Sequence, residues 1–186
     1  MAHMSERPID DLEDGLDELS RIAPKELMLL LADFAERAQG YFEATCQEEF
    51  LFAPEELRRA LTSLRSFARG RGKGKRIDLY AAALAAEASG EQLRQRIVTT
   101  VYNPQAPTLE AATLATSLPL EAAVDMDENL EAIIGVAYQA RRAAGVQSVQ
   151  ELAWQAARVQ QALIMCHPPD LGEIGDRLRP SLLAAS

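Results

Sequence analysis

Histidine, cysteine and aromatic residues are all scarce in this chain: two histidines, two cysteines and 5% aromatics among 186 residues. His3 lies in Met1-Ala2-His3-Met4, which reads as an expression scar ahead of a start at Met4. That leaves His167 for acid–base chemistry. It adjoins Cys166, but adjacent residues on a helix do not aim at each other, and Pro168 and Pro169 mark an end there, not a pocket. Cys46 and Cys166 make neither a disulfide framework nor a zinc site. A free cysteine ordinarily behaves as a small buried hydrophobe. No apolar run approaches the roughly 18 residues of a membrane span, and no signal-peptide pattern is present, so the default location is the cytoplasm. Alternating β-branched runs are missing too, which excludes a sheet.

What the chain has is alanine and leucine in helical register. At this length folding buries roughly 70% of the unfolded chain's surface, so no metal or disulfide is needed to hold a core. With 48% apolar residues and few aromatics, that core is built of Leu, Ile, Val and Ala. The bias to Ala, Leu and Arg fits a GC-rich bacterial genome. The expected fold is all-α, an irregular bundle of about seven to nine helices with no β-sheet. Residues 8–186 form a single helical domain after a disordered stretch at 1–7. The break Asn103-Pro104-Gln105-Ala106-Pro107 offers a division into two helical halves.

The periodicity places the helices. Ile9, Leu12, Leu16, Leu19 and Ile22 mark a first one after Pro8. Pro24 opens a second, running to about Cys46, with Leu27, Leu30, Leu31, Phe34, Ala38, Tyr41 and Phe42 on its core face. Pro54 opens a third, with Leu57, Leu61, Leu64 and Ala68 inward and Gly70 as its stop. Ile77, Tyr80 and Leu84 begin a fourth. Ser89-Gly90-Glu91-Gln92 reads as a capping box that starts another through Leu93, Ile97 and Val101. Thr108 to Leu118 follows, cut off by Pro119. Then come a helix bearing Leu130, Ile133, Ile134, Ala137 and Tyr138, closed at Gly145, and one begun by the capping box Ser148-Val149-Gln150-Glu151. Val149, Leu152, Ala156, Val159 and Leu163 form its inward face, with Trp154 on or beside it. A last helix surrounds Leu171, Ile174 and Leu178.

Charge is segregated along the chain. Residues 1–56 hold 15 acids and 4 bases, residues 57–106 hold 10 bases and 3 acids, and residues 107–186 hold 5 bases and 10 acids; the net charge is −9. The crest of the basic block is Arg69-Gly70-Arg71-Gly72-Lys73-Gly74-Lys75-Arg76. Its glycines miss the spacing of both the phosphate-binding loop and the dinucleotide fingerprint, and a helix precedes it where both need a strand. A solvated linker, balanced by the protein's own acids, is the plainer reading. The sharper one is a polyanion- or partner-binding surface made by Arg58, Arg65, Arg69, Arg71, Lys73, Lys75 and Arg76.

The acids Asp10, Asp11, Glu13, Asp14, Asp17 and Glu18 surround the first apolar stripe and form an acidic, solvent- or partner-facing surface. No Glu-x-x-His pair accompanies them, as a di-iron bundle requires. Asp125-Met126-Asp127-Glu128-Asn129 resembles the opening of a calcium loop, but Leu130 and Val136 occupy the glycine and bidentate-glutamate positions. Helix capping by Asp125 explains it better.

No catalytic residue, metal site or cofactor is assigned. The function expected is that of a non-enzymatic cytoplasmic interaction module, an adaptor, chaperone-like or regulatory factor. It would bind another protein through a helical groove or the acidic first helix. The alternative is a nucleic-acid- or polyanion-associated protein using the basic 58–76 region, and no membrane partner is expected.

Overall fold

The computed structural model describes residues 8–45, 55–70, 76–98, 106–123 and 129–166. They form seven α-helices: α1 (Pro8–Ile22), α2 (Pro24–Thr45), α3 (Glu55–Ala68), α4 (Arg76–Val98), α5 (Ala106–Ala122), α6 (Leu130–Ala144) and α7 (Ser148–Cys166). A 3-10 turn, Gly145–Gln147, joins the last two. No strand occurs among the described residues, and the all-α class stands.

The longest apolar stripe in the chain sets the centre of the bundle. Leu27, Leu31, Phe34, Ala38 and Phe42 are wholly buried on α2, and Met28, Leu30, Ala32 and Ala35 widen the stripe past half the circumference. A helix apolar over so wide an arc has to be surrounded. α1, α3, α5, α6 and α7 all pack on it, while α4 lies outside against α3 and α5, and α1 lies along α7. One connected cluster of buried side chains draws on all seven helices.

Several boundaries follow the local chemistry. Pro24 takes the first turn of α2, where a missing N–H leaves nothing unpaired. Gly70 ends α3 at φ 65° with its N–H on the Phe67 carbonyl, and Gly145 ends α6 at φ 54° with its N–H on the Arg142 carbonyl. Both need the left-handed region that a side chain disfavours.

Other expectations are corrected, and the upper end of the helix count with them. Residues 77–98 are not two helices: α4 runs unbroken through Ser89 and Gly90. Its inward line is Leu79, Ala83, Ala86, Gly90 and Leu93, so Tyr80 and Leu84, expected inside, are half exposed. In a helix with alanine on every side, small residues can take the buried face because they allow a close approach. Pro119 lies within α5 and does not end it. A proline there loses one backbone hydrogen bond, at a cost of about 3 kcal/mol. Burial of α5 by α2, α3, α4 and α6 outweighs that, carrying Leu120, Ala122 and Ala123 inward. Tyr138 and Val149 also point to solvent, and Glu151 serves no capping box because its side chain is engaged elsewhere.

Cys46, Pro54, residues 71–75, the break at 103–105, Asp125–Glu128, His167 and the expected helix around Leu171, Ile174 and Leu178 lie outside the described residues.

Two helix pairs meet at glycine. A methyl group on Gly90 of α4 would lie 2.5 Å from Thr113 Cγ2 of α5, and one on Gly15 of α1 would lie 2.5 Å from Val159 Cγ1 of α7. Thr113 is buried and its hydroxyl donates to the Leu109 carbonyl at 2.9 Å, so it has no free rotamer to yield. Gly40 of α2, by contrast, faces open space. Gly40→Ala is expected to stabilise by about 0.5–1 kcal/mol through chain entropy. Gly90→Ala is expected to destabilise by about 1–3 kcal/mol through overpacking. Thermal unfolding of the two variants should shift in opposite directions; shifts of the same sign would refute the close α4–α5 approach.

Candidate functional site

The basic block comes first, since it holds the residues singled out in the sequence. Arg65 on α3 donates from Nη2 to Asp33 Oδ1 at 2.9 Å and to Glu36 Oε2 at 2.8 Å, both on α2. Arg58 pairs with Glu43 two turns further along. Hydrogen bonding to Glu36, with Asp33 adding to it, holds the Arg65 guanidinium above its ordinary value against the cost of burial. The other oxygen of Asp33 accepts from Arg158 Nη2 of α7 at 3.1 Å, so one carboxylate ties α3 and α7 to the central helix. Arg58 and Arg65 therefore already have their counter-charges inside the protein. Arg69 is exposed at the end of α3. Arg71, Lys73 and Lys75 lie outside the described residues, and of Arg76 only the backbone, at the start of α4, is described.

The acidic first helix docks on the bundle through Leu12, Leu16 and Leu19. Asp10, Asp11, Asp14 and Glu18 face solvent, while Glu13 and Asp17 are half buried. Asp17 accepts from Arg21 Nη2 at 2.6 Å, an exposed pair one turn apart. Among the described residues no group of three or more His, Cys, Asp or Glu side chains is placed to hold a metal.

A network that sequence reasoning missed joins α2 to α7. Glu151 is fully buried. Its Oε2 accepts from Arg37 Nε at 2.8 Å and from the Tyr41 hydroxyl at 2.7 Å; its Oε1 accepts from Gln155 Nε2 at 3.2 Å. Gln155, also buried, donates to the Ala137 carbonyl of α6 at 3.2 Å. The Arg37 guanidinium stacks 4.1 Å above the Trp154 ring, which meets Phe34 edge-on. Burial, and next the hydrogen bond to Glu151, push the Tyr41 hydroxyl above its ordinary value of 10. The signal in the sequence is Glu151, Gln155 and Val159 at four-residue steps: two polar residues share the buried line of α7.

Two further surface grooves lie away from the α2–α3 ion pairs. Between α4 and α5 a groove of about 380 Å3 runs past Glu87, Glu91, Arg94 and Glu110. Hydrogen bonds from Arg94 and then Gln95 lower the Glu91 carboxyl to about 2. Where α1 begins, α6 ends and α7 begins lies an open trough of about 500 Å3, lined by Ile9, Tyr138, Arg141, Arg142, Val149 and Leu152 among others. Tyr138 is 53% exposed, Val149 75%, and Val146 in the adjoining turn 98%. Arg141 is half buried; burial pushes its guanidinium down, opposed mainly by the charge of Glu13. Its Nη1 is buried without a hydrogen-bond partner among the described residues. The sequence had given Ile9, Tyr138 and Val149 to core faces, and the two arginines to the helix end alone. Ile9 and Val149 sit in the first turns of α1 and α7, while Tyr138 lies midway along α6 with its side chain in the open.

Comparison of the chain with protein-family models, with curated proteins and with solved structures finds no match.

Removing one member of a buried ion pair typically costs 3–5 kcal/mol. Arg37 keeps 37% of its side chain in water and can rehydrate, which reduces the loss. Glu151→Gln is expected to destabilise by about 2–3 kcal/mol, and replacing Arg37 and Glu151 together by Met should recover part of it. Urea unfolding checks this, and a double variant no more stable than Glu151→Gln would contradict it. Tyr41 should ionise above the ordinary tyrosine value of 10, and Tyr41→Phe should remove that step from an ultraviolet titration. Because the folded state holds this proton more tightly, the stability it lends is complete below pH 10. It is lost as the pH rises through the folded value.

Proposed function

We propose that this chain is a non-enzymatic helical module that binds another protein, in the cytoplasm, through the trough between α1, α6 and α7. The observation that carries the reading is the gathering of Ile9, Tyr138 and Val149, all exposed, around one concave surface. Single exposed apolar residues are ordinary; a cluster beside a groove marks an interaction surface. The polar side chains lining the trough also favour binding over catalysis. Among the described residues they are Tyr138, Arg141, Arg142 and Ser148, with no carboxylate, histidine or cysteine. A guanidinium stays protonated and cannot serve as a general base.

The competing polyanion reading rests on the basic 58–76 region. It is weakened by the ion pairs of Arg58 and Arg65, which place two of its seven cations on α2 carboxylates. Those that remain work against a net charge of −9.

The test is affinity capture from a lysate of the source organism with three proteins: the natural chain, Val149→Arg and Tyr80→Arg. Both substituted side chains are exposed, and Tyr80 lies on α4, away from the trough. A partner held by the natural chain and by Tyr80→Arg, and lost with Val149→Arg, is the expected result. Equal capture by all three, or no specific partner with any, overturns the proposal.

A further inference from the structure

We infer that the occupant of the α1–α6–α7 trough is an acidic amphipathic segment of a partner protein, with an apolar side chain seated among Ile9, Tyr138 and Val149 and a carboxylate on Arg141. This rests on the protein-binding reading and adds to it the chemistry of the partner.

Charge complementarity carries the argument. Ten arginine side chains are described, and seven of them, at 21, 37, 58, 59, 65, 94 and 158, are bonded to a carboxylate of the same chain. Arg69, Arg141 and Arg142 have no ion pair among the described residues. In a protein with 28 acidic residues against 19 Lys and Arg, an arginine without a carboxylate is the exception. Two of the three exceptions are neighbours on the last turn of α6, and both line a trough with exposed apolar walls. Arg142 donates only to the neutral amide of Gln139, at 3.0 Å. Arg141 is the more telling of the two, since its Nη1 is out of water with no acceptor among the described residues. A buried donor left unmatched costs about 1–3 kcal/mol, more when charged. A carboxylate in the trough would bring a counter-charge to this half-buried cation, whose own chain supplies no ion pair among the described residues.

The form of the trough favours a chain segment over a small apolar acid. It is open, not enclosed, and its apolar lining runs from Ile9 on α1 past Tyr138 on α6 to Val149 and Leu152 on α7. Small-molecule sites bury most of their ligand's surface, which an open trough does not do. An amphipathic helix laid in it would meet successive parts of the rim with residues three and four apart.

The test uses a fluorescent 16-residue amphipathic helical peptide with leucines on one face and glutamates beside them, and a second peptide with every glutamate replaced by glutamine. Anisotropy titrations are run on the natural chain, Arg141→Gln, Arg142→Gln and Val149→Arg, each checked for fold by circular dichroism. The glutamate peptide is expected to bind about tenfold or more tightly than the glutamine peptide, the worth of one charge-assisted hydrogen bond. Arg141→Gln should bring the two peptides level, Arg142→Gln should narrow the gap, and Val149→Arg should weaken both. Equal binding of the peptides to the natural chain, with Val149→Arg weakening both, overturns the acidic partner while leaving the docking surface in place. Binding of neither peptide at millimolar concentration overturns this inference, and the capture experiment decides the broader reading separately. Decanoate that binds as tightly as the glutamate peptide and displaces it replaces the protein segment with a small acid.

Discussion

The carboxylate of Glu151 fixes the position of α7, and through it one whole side of the bundle. A fully buried charge is tolerable only when its lone pairs are taken up. Arg37 and Tyr41 of α2, with Gln155 one turn on, do this from one direction. An alanine- and leucine-rich helix could slide or turn on its neighbours at small cost, because its apolar contacts are interchangeable. A carboxylate with directional partners cannot. α7 in turn supplies Val159, against which α1 closes at Gly15. It also supplies Val149 and Leu152, which form one wall of the trough. The trough is thus placed by a polar contact at Glu151, within one turn of Val149 and Leu152 on the same helix.

A second set of ties from α2 reaches α3 and α5, and α7 again. Gln39, almost wholly buried, donates to Thr116 Oγ1 of α5 at 2.9 Å and to the Leu57 carbonyl of α3 at 3.3 Å. Asp33 is shared by Arg65 and Arg158. α2 therefore carries both the widest apolar surface and the polar groups that fix the angular position of its neighbours. The basic 57–69 stretch belongs largely to this scaffold. Its charge looked available in the sequence because its counter-charges sit some 15 to 32 residues earlier, on another helix.

Helix content was legible wherever the stripe had bulk. The leucines and phenylalanines of α2 and α3 point where the periodicity put them, and the glycine stops at 70 and 145 follow from a backbone conformation that sequence can signal directly. Legibility failed where a residue's role depended on a distant partner. α4, with six alanines between positions 81 and 88, has no bulky stripe there to choose a face, so Tyr80 and Leu84 mark the exposed side instead of the buried one. Pro119 reads as a break until the four helices around α5 are known. Glu151 fits a capping box three residues into a helix, and only the proximity of Arg37, 114 positions earlier, reveals its other use. The trough was invisible for the same reason. It is assembled from three helix ends, each with an ordinary local explanation.

The contacts at Gly15 and Gly90 bear on how far this sequence can drift while keeping its shape. At each crossing the volume is shared between two chain positions, 15 with 159 and 90 with 113. A larger residue at one is accommodated only if the other shrinks, so the members of each pair are bound to vary jointly. Descendants of this fold should therefore carry a correlated size exchange at these two pairs, a record of helix packing that outlasts overall sequence likeness.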